Sequence, residues 1–182
     1  MLTQIIYTIV IALTAIERLI EVRLSNRNAA WSFSQGGIEI GKEHFPFMVV
    51  LHTGFLIGCV AEAWLIPRSI SWLWIGIFIP LTIGCQLFRW WCINTLGQQW
   101  NTRVILVPGF KRVNAGPYQY FSHPNYLIVA VEGIVLSLFH QAYYSAIVFT
   151  VLNAGLMWVR IRTEEKALQE FLITQKEAKE TT

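Results

Sequence analysis

Long apolar runs separated by short polar stretches set the pattern of this chain. Five runs stand out, at residues 2–16, 46–66, 70–93, 126–139 and 142–159. A helix needs about 20 residues to cross the hydrocarbon of a bilayer, so the second and third qualify on length alone. The first run grades into Glu17, Arg18, Leu19, Ile20, Glu21, Val22 and Arg23, which predicts a helix continuing into the interface. The fourth and fifth are shorter and separated by His140 and Gln141, a spacing that predicts a tight helical hairpin inserted as one unit. The predicted fold is an all-α integral membrane protein: about five transmembrane helices, the last two forming a hairpin, in one membrane-embedded domain over residues 1–182.

The third run carries its own ruler. Trp72 and Trp74 stand at its start, Trp90 and Trp91 at its end. The spacing from Trp72 to Trp91 is roughly 28 Å at ~1.5 Å per residue, the thickness of a bilayer core, so these are two aromatic belts. Pro80 and Gly84 lie between them, where a membrane helix tolerates a kink. Orientation follows from the loop cations. With the N-terminus outside, Arg23, Arg27, Lys42, Arg103, Lys111, Arg112, Arg162, Lys166, Lys176 and Lys179 all lie inside, and Arg68 alone lies outside. That asymmetry satisfies the positive-inside rule and predicts a cytoplasmic C-terminus.

Composition agrees. The 182 residues are 54% hydrophobic and 14% charged, with a mean hydropathy of +0.47. An average soluble protein is about 25% charged, so little is left to cover a water-facing surface. The net charge of +3 comes without a basic cluster, and no nucleic-acid partner is expected. Cys59, Cys85 and Cys92 fall inside apolar runs, without CxxC spacing or nearby histidines. They read as buried packing residues, and no metal site is expected. The N-terminus has no basic region or small-residue cleavage site, so no cleavable signal peptide is expected.

Every polar stretch of substance then faces the cytoplasm: residues 24–45, 94–125 and 160–182. The first, with Gly36, Gly37 and Gly41, reads as a loop with a reentrant turn. In the second, residues 104–107 are β-branched and apolar, but a strand without a partner is not expected there. It ends in Gly116-Pro-Tyr-Gln-Tyr-Phe-Ser-His-Pro-Asn-Tyr126. Pro124 suits the first helical position, where its missing N–H is no loss, and it pushes His123 out of helical geometry. An interfacial loop with tyrosines is the plain alternative. The third stretch begins Arg160-Ile-Arg162-Thr-Glu164-Glu165. Arg160 and Glu164 share a helix face, as in an ordinary charge-paired helix end. A hairpin, however, makes them neighbours of His123 and Tyr126.

Glu132 sits inside the fourth run. Nine Leu, Ile, Val or Phe residues there contribute roughly −3 to −5 kcal/mol to insertion, and a central acid costs about 2.5 to 3.5. The helix therefore needs partners, and Glu132 is either functional or a protonated structural acid. His52, Glu62 and Asn153 read as makers of inter-helix hydrogen bonds.

These motifs carry a resemblance. LGxxW at 96–100, the Pro108-Gly109 turn, GPYxYxxHPNY at 116–126, Glu132 and RxRxEExxL at 160–168 resemble the isoprenylcysteine carboxyl methyltransferase family. The closer likeness is to its small bacterial branch, some members of which methylate alkylpyrone or phenolic lipids. Residues 17–28 and 41–49 also resemble that branch. The resemblance implies a bacterial inner membrane, an all-helical fold and S-adenosylmethionine bound from the cytoplasm. It carries His123, Pro124, Tyr126, Arg160, Glu164 and Glu165 over to the cofactor site. Two features depart from the pattern. Ser122 stands where the family usually has arginine, and residues 169–182 lack the family's aromatic continuation.

The residue chemistry is compatible. Glu164 or Glu165 can pair with the cofactor's cationic groups, Arg160 or Arg162 with its carboxylate, and Tyr118, Tyr120 or Tyr126 with its ring or sulfonium. His123 and Glu132 are the candidate catalytic residues. A carboxyl acceptor, with a pKa of about 4, needs no base, whereas a phenol near 10 does, and His123 is the one candidate in the motif. The expected reaction is O-methylation of a lipid-like acceptor. Alternatives are a phospholipid N-methyltransferase and a small membrane protein without catalytic activity. A sterol-type reductase finds no support, because no dinucleotide glycine fingerprint occurs.

Overall fold

The computed structural model describes residues 1–110 and 113–180, with side chains described up to Gln169. Lys111, Arg112, Lys176 and Lys179, counted above on the cytoplasmic side, and most of the tail that departs from the family pattern lie outside the described side chains. In order, the elements are α1 (Leu2–Ser34), β1 (Ile38–Ile40), α2 (His44–Leu65), α3 (Trp72–Leu96), β2 (Val104–Leu106), α4 (Pro124–Phe139) and α5 (Tyr143–Glu180). Short 3₁₀ turns occupy Gly97–Gln99 and Gly116–Gln119.

Three helices among the described residues are long and apolar enough to cross a membrane: His44–Leu65, Trp72–Gln99 and Tyr143–Gln169. Pro124–Phe139 is a shorter apolar helix. The molecule is thus an all-helical integral membrane protein. The count of long apolar helices is three rather than the five apolar runs of the sequence, because α4 is short and the apolar part of α1 gives way to charge.

That charge does not sit at an interface. α1 continues unbroken to Ser34 and buries Glu21, Ser25 and Asn28. A buried carboxylate must be paired, and Glu21 is. Arg89 of α3 donates to it through Nε and, at 2.7 Å, through a terminal nitrogen, while Arg18 donates at 2.9 Å. Arg18 also reaches Glu132 of α4 at 3.3 Å, and Gln86 donates to the same Glu132 oxygen at 2.7 Å. One polar network therefore ties α1, α3 and α4 together inside an otherwise apolar bundle.

The four tryptophans of α3 divide. Trp72 and Trp91 are exposed, whereas Trp74 donates to the Leu138 carbonyl and Trp90 to Glu17. Cys59, Cys85 and Cys92 are free and buried, as expected. Glu62 makes the inter-helix bonds foreseen for it, accepting from the backbone of Tyr144 and Ser145 at the start of α5. His52 does not. Its Nδ1 lies 2.8 Å from the Met48 carbonyl of its own helix, and its ring meets Phe149 edge-on. Asn153 makes no such bond either: its Oδ1 is buried without a partner.

Two expectations about the polar stretches are corrected. Gly36 and Gly37 form a helix cap instead of a reentrant turn. Gly37 N–H bonds to Ser32 O and Gly36 N–H to Phe33 O, with Gly36 at φ +79°, the left-handed geometry of a Schellman cap. The chain then enters β1, which pairs antiparallel with β2: Ile38 faces Leu106 and Ile40 faces Val104. The apolar run at 104–107 does find a strand partner. It lies more than sixty residues upstream, in a segment too short for periodicity to reveal.

Candidate functional site

The site is assembled by the loops that follow α3 and precede α4. Asn28 of α1 donates to the carbonyls of Trp100, at 2.7 Å, and Gly97. Ser25 holds Asn101 and accepts from the Thr102 backbone N–H. Polar residues of α1 thereby fix the loop that carries Trp100, Asn101 and Arg103. Gly116, at φ +52°, brings the second 3₁₀ turn against the end of α3, where a Cβ would lie 2.6 Å from the Thr95 hydroxyl. That turn carries Tyr118.

α4 starts as anticipated. His123 is its N-cap in non-helical geometry, and Pro124 is buried at the first helical position. His123 stacks on Tyr126 with ring centroids 5.4 Å apart, and its Nε2 lies 3.6 Å from Glu165. Tyr126 donates its hydroxyl proton to Glu164 at 2.7 Å and accepts from Arg160 Nε at 2.9 Å. Arg160 is itself buried and donates to the Thr102 carbonyl. The two distant motifs thus meet, as predicted.

Around them lies a cavity of about 260 Å³. Tyr118, His123, Tyr126, Arg160, Glu164 and Glu165 line it, together with Ser122 and residues the sequence reading did not single out: Trp100, Asn101, Arg103 and Asn125. Trp100 and Asn125 fall within the motifs; their chemistry gave no sign until the loop was folded. Pro124 does not line the cavity and serves as the buried helix start. Glu132 is not brought to it. It lines a separate space of about 30 Å³ with Arg18 and His52, room for about one water.

Four buried polar atoms on residues lining the 260 Å³ cavity lack hydrogen-bond partners: Trp100 Nε1, Arg103 Nε, Tyr118 OH and Asn125 Oδ1. Each such atom costs about 1 to 3 kcal/mol if nothing answers it, so four at one cavity point to a polar ligand. Burial, reinforced by Cys92, Glu164 and Tyr126, pushes the Tyr118 phenol above its usual range and keeps it a proton donor. The set offers N–H and O–H donors, an amide oxygen, aromatic faces and two carboxylates. Such a set suits a ligand that carries both charged and aromatic groups.

A second cavity, about 290 Å³, runs between α4 and α5. It shares His123 and Tyr126 with the first and is otherwise mostly apolar, lined by Leu127, Ala130, Ile134, Phe149 and Met157 among others.

Comparison with known proteins accords with this arrangement. The profile of the Isoprenylcysteine carboxyl methyltransferase (ICMT) family matches residues 77–170, which include all of the residues at the meeting of α4 and α5. An uncharacterized protein of Bacillus subtilis (strain 168), YpbQ, is 36% identical over 167 residues, covering 92% of this chain and 99% of that one. An uncharacterized protein of Haemophilus influenzae is 29% identical over 153 residues, 83% of this chain and 88% of its own. With the matched segment carrying the residues gathered on the first cavity, this chain belongs to the isoprenylcysteine carboxyl methyltransferase family.

Proposed function

We propose that this protein is a membrane-embedded, S-adenosylmethionine-dependent O-methyltransferase acting on an acidic oxygen of a lipid-like acceptor. The observation that carries the reading is the convergence of His123, Tyr126, Arg160, Glu164 and Glu165 on a cavity with four unanswered polar atoms. Arg103 and Arg160 suit the cofactor's carboxylate, Glu164 and Glu165 its cationic groups, and Trp100 and Tyr118 its adenine. When bound, the cofactor supplies a sulfonium methyl to the acceptor's oxygen lone pair and leaves as a neutral thioether.

The protein's part is binding and positioning. The Glu164–Tyr126–Arg160 chain holds the α4 and α5 ends at a fixed distance beside the reacting groups. His123 closes the boundary between the polar cavity and the apolar groove, since it lines both. An anionic oxygen needs no base, so the role that suits His123 is to face the acceptor. Glu132 supports the site through Arg18 and Gln86 rather than by contact. The acceptor enters sideways along the groove between α4 and α5.

The arrangement in the membrane belongs to the same reading. One domain with five spans sits in a bacterial inner membrane, N-terminus outside, C-terminus cytoplasmic, with α4 and α5 inserted as a hairpin. The exposed apolar residues of α1, including Ile5, Ile9, Leu13 and Ile16, suit a lipid-facing helix. A reporter active only outside the cytoplasm, fused after Thr182, is expected to stay silent; a strong signal would overturn the orientation.

The function is tested by incubating purified protein in detergent with methyl-labelled S-adenosylmethionine and a lipid extract. Label recovered as a base-labile lipid ester or an enol ether is expected. Label on a lipid amine would make it an N-methyltransferase. Absence of cofactor binding in a folded sample would return a non-catalytic membrane protein.

A further inference from the structure

Resting on that reading of the α4–α5 groove as the acceptor's path, one residue of its wall is out of place. Asn153 is 3% exposed and lines the groove with Phe149, Thr150, Ala154, Met157 and Ile134, mostly apolar neighbours. Its amide oxygen has no hydrogen-bond partner. A buried amide in apolar surroundings normally finds one, because leaving it unmade forfeits its full hydration. In a membrane helix the usual remedy is a bond to a neighbouring helix, and α4 offers Ala130 and Ile134 on the groove side. Among the described residues no group meets the Asn153 amide oxygen.

Its place along the groove defines the ligand. Asn153 is seven residues from Arg160 on the same helix, two turns, so the two stand on one face roughly 10 Å apart. Arg160 contacts Tyr126, which borders both cavities. An acceptor whose acidic oxygen reaches Tyr126 and His123 lays the part of its chain about 10 Å farther on against Asn153. We propose that Asn153 is a specificity-determining residue that accepts a hydrogen bond from a hydroxyl or amide N–H carried mid-chain by the acceptor. The preferred acceptor class is thus an acidic lipid with a polar function inside its chain, rather than one with a plain hydrocarbon tail. Selection works by subtraction: a plain tail leaves the amide unpaired, whereas a matching donor satisfies it.

The test uses the full-length protein in nanodiscs with two probes, octadecanoic acid and 10-hydroxyoctadecanoic acid, whose hydroxyl lies at about the required distance. Binding of each is measured at equilibrium and corrected for uptake by empty nanodiscs. The parent protein is expected to favour the hydroxylated acid by roughly tenfold, the worth of one buried hydrogen bond. Asn153→Leu is expected to lose that preference and to bind octadecanoic acid at least as well as the parent does. Asn153→Ala serves the same comparison if the leucine variant does not fold. Equal affinity of the parent for both acids, binding of neither, or a preference retained in both variants overturns the proposal. Cofactor binding is measured in the same samples. If the cofactor binds and the preference does not depend on Asn153, the specificity role fails alone. If the preference depends on Asn153 but no cofactor binds, the methyltransferase reading fails and the groove assignment stands.

Discussion

The hydroxyl of Tyr126 lies 2.7 Å from Glu164 Oε2, and that hydrogen bond joins the first turn of α4 to a turn of α5 that lies 38 positions further along the chain. Because Arg160 donates to the same hydroxyl at 2.9 Å, Tyr126 is held between a carboxylate and a guanidinium. Glu164 still has acceptor capacity toward the cavity it lines.

Glu164→Gln is therefore expected to weaken S-adenosylmethionine binding by about 1.5 to 3 kcal/mol, the range for a hydrogen bond to a charged group, while the protein still inserts. Calorimetric titration of the two proteins checks this. Unchanged affinity in Glu164→Gln with loss in Glu165→Gln would move the charge contact to the neighbouring residue.

Replacing one partner of the buried network should do more harm than replacing two. Arg89→Leu strands Glu21 with Arg18 alone and is expected to cost about 3 to 5 kcal/mol of stability. The double variant Glu21→Leu with Arg89→Leu is expected to be more stable than Arg89→Leu. Denaturation in a single detergent compares them, and a double variant worse than the single one would contradict the pairing.

At Gly133 the Phe149 ring of α5 packs directly against α4. A Cβ at that position would lie 2.3 Å from the Phe149 ring, so Gly133→Ala must displace that ring or the helix that carries it. Overpacking of this kind costs about 1 to 3 kcal/mol. Gly133→Ala combined with Phe149→Leu is expected to recover part of the loss, read as melting temperature.

Tyr118 gives a pH prediction. Burial favours its neutral form and raises its pKa, so the phenol stays protonated where an exposed tyrosine, with a pKa of about 10, is half ionised. Subtracting the ultraviolet phenolate titration of Tyr118→Phe from that of the parent should leave no transition up to about pH 10. The sign for stability follows. With the folded pKa raised, the neutral phenol's contribution is complete below the unfolded pKa and is lost as pH climbs toward the folded one. A transition centred near pH 10, that of an exposed phenol, would mean that Tyr118 is not buried as described.

The sequence by itself determined the membrane class, the helices and the meeting of two motifs. Apolar runs of 20 residues have few other outcomes in water or lipid, and Pro124 and Arg160–Glu164 act through spacings of one to four residues. Such short-range rules read directly from the chain. What only the tertiary structure decided was the assignment of polar partners. Glu21 and Arg89 are 68 positions apart, and Arg18 pairs not only with Glu17 and Glu21 of its own helix but with Glu132, 114 positions away; these partners follow from which helix faces meet. β1 and β2, three residues each, are too short to announce themselves and form because α1 ends in a left-handed cap that turns the chain back toward residues 104–106. The same packing placed Glu132 in the bundle interior and Asn153 in the groove, although the sequence treats both as polar residues in apolar helices. A buried polar side chain takes its role from whatever lies across from it, and that is settled by three-dimensional packing.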